Sequence, residues 1–77
     1  MTAPRDPKPD TQNGQILAYM RRHGWITPMD ALRDCACMRL AARIQELEED
    51  YGWKIDAELV TEGGKTFARY RLRGAGN

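Results

Sequence analysis

A chain of 77 residues buries only about 60% of its unfolded surface, which is enough for one small core and excludes a division of these residues into several domains. Twelve Lys and Arg against eleven Asp and Glu leave a net charge of +1, so a global basic field is excluded and any contact with nucleic acid must rest on local patches. With 42% apolar and 30% charged residues the chain has enough to bury to fold.

Residues 1–10 carry Pro4, Pro7 and Pro9 among Arg5, Asp6, Lys8 and Asp10, a composition that offers little to bury and breaks both helix and ladder. A disordered arm is expected there. The first periodic segment runs from about Gln12 to His23, with Ile16, Leu17 and Met20 on one helical face and Gly24 as a left-handed cap. Trp25 and Ile26 follow as a short apolar pair. Thr27-Pro28-Met29-Asp30 then supplies an N-cap hydroxyl, proline at the first helical position and an acid in the first turn. The second helix is expected to be brief, with Met29, Ala31 and Leu32 toward the core and a bend between Asp34 and Cys37. In the third helix Leu40, Ile44 and Leu47 recur at four and three residues, a narrow apolar stripe, with Arg39, Ala42 and Glu46 opposite and Arg43 on the border. Glu48-Glu49-Asp50 ends it, with Gly52 as the stop. After Trp53 the period becomes two. Ile55, Ala57 and Leu59 alternate with Asp56 and Glu58, and Ala68, Tyr70 and Leu72 alternate with Arg69, Arg71 and Arg73. Thr61 to Lys65, with its paired glycines, joins the two strands as a hairpin loop. Residues 74–77 have no anchoring side chains and are expected to be a flexible C-terminus.

Helix, short strand, helix, helix, hairpin is the order of an α+β winged helix-turn-helix over residues 11–73, in which the short strand joins the hairpin and three helices pack on one face. A small three-helix bundle with a loose hairpin is the structural alternative. The runs Ile26-Thr27-Pro28-Met29-Asp30-Ala31-Leu32, Met38-Arg39-Leu40-Ala41-Ala42-Arg43-Ile44 and Ala68-Arg69-Tyr70-Arg71-Leu72 resemble a family of small phage and prophage helix-turn-helix proteins. The likeness covers about residues 11–72. It implies a winged-helix fold and DNA binding in a phage regulatory setting. The sequence departs from the family at Cys35-Ala36-Cys37. Alanine in a left-handed turn position is strained, so a turn of different shape is expected there.

A winged helix places its third helix in the major groove and its wing on neighbouring phosphates, so the wheel nominates Arg39, Arg43 and Gln45 for base contacts. Arginine meets guanine bidentately and glutamine does the same for adenine. The alternative for the two arginines is a solvated helix charge. Lys65, Arg69, Arg71 and Arg73 are nominated for phosphate contacts, since four cations within nine residues form a clamp. Their alternative is cross-strand pairing with Asp56 and Glu58. Strand alternation puts Phe67 on the arginine face as a wing or dimer contact, while Trp25, Trp53, Tyr19, Tyr51 and Tyr70 are read as core or core-rim aromatics. The DNA reading requires Arg39, Arg43 and the cationic last strand to share one side of the molecule.

Double-stranded DNA is therefore the expected partner. Seven acids and a single lysine between Glu46 and Glu62 also suit a winged-helix adaptor or phage-encoded inhibitor that docks to a host protein. A homodimer is compatible with either reading. Cys35 and Cys37 are too close for an unstrained mutual disulfide, and with one distant His23 they supply too few ligands for zinc. No metal and no cofactor is expected. The chain has no glycine-rich phosphate loop and no Ser-His-Asp set, so an enzyme is not expected. Without an apolar run near ~18 residues, a cytoplasmic setting in a bacterial cell is the expectation.

Overall fold

The computed structural model of the chain describes residues 4–74. Residues 1–3 of the expected arm and residues 75–77 of the expected flexible C-terminus lie outside the described residues. The elements are α1 (Gln12–His23), β1 (Trp25–Ile26), α2 (Pro28–Cys35), α3 (Leu40–Glu49), β2 (Lys54–Glu62) and β3 (Lys65–Gly74). Thr11 caps α1, its hydroxyl accepting from the Gly14 N–H at 3.1 Å, and Gly24 ends the helix at φ 87°. Thr27 and Asp30 form a reciprocal capping box at the start of α2, with both backbone N–H to side-chain bonds at 3.2 Å.

The three strands form one antiparallel sheet in the order β1-β3-β2. Alternation divides it into two faces. Ile26, Ile55, Tyr70 and Leu72 point toward the helices, where Ile16, Leu17, Met20, Ala31, Ile44 and Leu47 complete the core. Trp25, Asp56, Glu58, Phe67, Arg69 and Arg71 stand on the outer face, away from the helices. The core ends midway along the hairpin, so its far half projects as a wing on which Leu59 is 78% exposed. At the tip, Gly63 and Gly64 take φ 56° and 78°, the positive values a two-residue primed turn requires.

Two local expectations differ from the structure. Met29 and Leu32 do not face the core: they are 68% and 50% exposed, and Asp30, Ala31 and Cys35 occupy the buried positions of α2. Ala31 and Cys35, four residues apart, set the buried face of α2, which leaves Met29 on the opposite side of the helix and Leu32 on its flank. The turn after α2 keeps the left-handed shape: Ala36 sits at φ 51°, ψ 36°, and Cys37 N–H closes onto Ala31 O at 3.0 Å. Burial of Cys35 and Cys37 beside it outweighs the local strain of about 1–2 kcal/mol.

Residues 4–10, within the segment expected to be disordered, run along α1 and the α3–β2 connection. Pro7 is buried. Arg5 N–H donates to Tyr51 O at 2.8 Å, and Trp53 Nε1 donates to Arg5 O at 2.8 Å. Arg21 reaches across from α1 to pair with Asp6 at 2.7 Å, its guanidinium 4.7 Å from the Trp53 ring centroid.

Candidate nucleic-acid interface

In a helix-turn-helix pair the second helix carries the residues that read bases, and only those on its solvent side can do so. Burial of Leu40, Ile44 and Leu47 leaves Ala41, Gln45, Glu48 and Glu49 exposed on α3. Gln45 thus stands on the free face. Arg39 is exposed at the N-cap, half out of the helix, and makes no side-chain cap bond. Arg43 is turned to the α1 flank, where its Nη1 donates to Glu46 Oε1 at 2.7 Å. The same oxygen accepts from Asn13 Nδ2 at 2.9 Å, so the arginine is part of the joint between α1 and α3.

The wing cations divide in the same way. Lys65 is exposed beside the tip and Arg71 is exposed on the outer face. Neither forms an ion pair among the described residues. Arg69 donates twice to Glu58, opposite it in the ladder, and lies 5.5 Å from the Trp25 ring centroid. Arg73 pairs with Asp56 at 3.2 Å. Cross-strand pairing, the alternative drawn from the sequence, is therefore what the structure shows at these two arginines.

The cations do not share one side. Tyr70 and Leu72 pack toward the helices, so Arg69 and Arg71 between them project to the opposite face of the sheet from α3. Lys65 shares that outer face by register, at the tip of the projecting wing. The acids Glu48, Glu49 and Asp50 are exposed at the far end of α3 and bound the Gln45 surface on one side.

A second feature was not legible in the sequence. Trp25, Met29, Val60 and Phe67 line a groove of about 540 Å³ between the start of α2 and the wing, with Lys65 and Arg69 at its rim. Phe67 is half-buried in it, on the expected arginine face. The sequence places Met29 toward the core and Trp25 in the core or at its rim, and only their exposure in the folded chain reveals the groove. Among the described residues, no group of three or more His, Cys, Asp and Glu side chains is placed to hold a metal ion. No described helix is long and apolar enough to cross a membrane.

A family model described as a winged helix-turn-helix domain matches residues 11–74. No curated protein and no solved structure matches the chain.

Proposed function

Because this chain belongs to the winged helix-turn-helix domain family, we propose that it binds double-stranded DNA as a small phage or prophage regulator of transcription or another DNA transaction. The single cationic side expected from the sequence is not formed, so the family match over residues 11–74 carries the reading, and the exposed side of α3 supports it. In this reading α3 enters the major groove, where Gln45 and Arg39 meet base edges directly. Arg43 joins them only by giving up its bond to Glu46. Lys65 at the wing tip takes the nearest phosphate. Arg71, Arg69 and Arg73 form a second, peripheral phosphate set on the far face, two of them released from carboxylates before they act. Since the wild-type net charge is +1, affinity is expected to depend on few phosphate contacts and so to fall with salt on a shallow slope.

Fluorescence anisotropy on a mixed-sequence duplex over a salt series tests this. Lys65→Ala is expected to lower the salt slope by roughly 0.9 and weaken all sequences alike. Gln45→Ala is expected to leave the slope unchanged and to flatten the preference in a selected site by about 1–3 kcal/mol. Binding that is absent at low salt, or that ignores Arg39→Ala, Gln45→Ala and Lys65→Ala in combination, overturns the reading.

One observation favours a second reading, a protein-binding adaptor or inhibitor. The apolar groove at Trp25, Met29 and Phe67 is the kind of surface that receives a side chain of a host protein. Co-purification that survives nuclease treatment and is lost with Phe67→Glu supports it over DNA.

A further inference from the structure

We infer that the free edge of β2 is a self-association edge, along which two copies pair antiparallel across a two-fold axis at Glu58 and join their sheets into one of six strands. The strand is nine residues long and lies at the sheet margin, so its outward N–H and C=O groups have no strand beside them. Outside its ladder with β3, no described backbone hydrogen bond involves a β2 residue. An edge of this kind is a template for a further strand.

The charges select the occupant. Four groups stand along the outer face of this strand besides Val60: Lys54, Asp56, Glu58 and Glu62. Asp56 is held by Arg73 and Glu58 by Arg69, both from the same sheet. Lys54 and Glu62, at opposite ends and of opposite sign, form no ion pair among the described residues, although Lys65 faces Glu62 across the turn. A two-fold antiparallel pairing places each directly against the other on the second copy, twice per dimer.

The register follows from the same residues. Directly opposed residues must share a face, so neighbouring two-fold registers differ by a shift of the axis from one residue to the next. An axis at Ala57 sets Asp56 against Glu58 twice, and an axis at Leu59 sets Asp56 against Glu62 twice. An axis at Glu58 sets Lys54 against Glu62 twice. Its one like-charge meeting joins two Glu58 carboxylates, each already bonded by its own Arg69. On the inner face that register lays Leu59 against Ala57 of the second copy, covering a leucine that the monomer leaves 78% exposed.

Sedimentation equilibrium without DNA tests the inference, independently of the DNA reading. Wild type is expected to show a concentration-dependent dimer. Lys54→Glu and Glu62→Lys are each expected to weaken it roughly tenfold, since each sets like charges together at both ends. An equimolar mixture of the two variants is expected to dimerise as wild type does, because a strand with an acid at both ends then lies against a strand with a lysine at both ends. Both sites are exposed, so the variants keep the fold, checked by far-UV circular dichroism. Leu59→Arg, also at an exposed site, is expected to reduce dimer by a second route. A wild type that is monomeric throughout, a dimer indifferent to the single reversals and to Leu59→Arg, or a mixture no tighter than its components overturns it.

Discussion

Ala36 shows how a single residue can hold strain that its surroundings tolerate. A non-glycine residue at φ 51° lacks the freedom the position rewards, yet the turn is fixed by Cys37 N–H on Ala31 O and by Gln12 Nε2 donating to Ala36 O at 3.0 Å. Ala36→Gly is expected to stabilise the fold by about 1 kcal/mol in urea denaturation. A loss of stability of that size sinks this account of the turn. The flanking thiols give a second test. Burial, then the nearby Asp34 charge, pushes the Cys35 thiol above its ordinary pKa. The folded chain thus holds this proton more tightly than the unfolded one. Its contribution is complete below the ordinary thiol range and declines as pH rises above it. Denaturation curves between pH 7 and pH 10 are expected to lose part of their slope in Cys35→Ala, and native thiols to react with a disulfide reagent far more slowly than unfolded ones.

At the scale of elements, the segment 4–10 acts on α1 as a packed neighbour. Gly14 lies inside a helix, where Ala is preferred by about 1 kcal/mol. A Cβ there meets the Lys8 carbonyl oxygen, with Pro9 Cα 2.9 Å away. Both contacts are backbone, so neither can swing aside. Gly14→Ala is expected to lower the melting temperature of the whole chain and to raise that of a chain lacking residues 1–10, which no longer carries Lys8 and Pro9. The same sign in both chains removes the packing role from segment 4–10. The arm owes its path to Tyr51 and Trp53, which meet Arg5 through backbone and indole hydrogen bonds. Those partners lie 46 and 48 residues away in sequence, so composition alone makes the segment look unanchored.

The whole molecule is a thin sheet with helices on one side only, and this decides how charge is presented. Strand alternation put Arg69 and Arg71 on one face, and Arg73, at an irregularity of the ladder, pairs with Asp56 of that face, but the helices claimed the other face. The cationic row and the reading helix therefore look in different directions. At the level of binding, the consequence is separable: Arg71→Ala and Lys65→Ala are expected to differ, the lysine at the projecting tip costing more affinity for a short duplex than the arginine at the base of the sheet. Equal losses in the anisotropy assay imply that DNA wraps past the wing. Two copies joined along β2 would double the number of α3 helices offered to a duplex, and hence the number of contacts a chain of such small net charge can make.

The sequence alone determined the elements, because their signals are local: Gly24 after an apolar stripe, Thr27-Pro28 before the next helix, the change of period after Trp53, and Gly63-Gly64 at the reversal. It also determined which residues of α3 are buried, since Leu40, Ile44 and Leu47 can face only one way on a 3.6-residue repeat. Tertiary structure decided what those elements leave outside. Packing of Ala31 and Cys35 into the core turned Met29 and Leu32 outward, Asn13 and Glu46 drew Arg43 into a helix joint, and Glu58 and Asp56 occupied two arginines of the last strand. Each of these outcomes depends on distances between residues far apart in the chain or on which face a neighbouring element covers. Periodicity carries neither quantity.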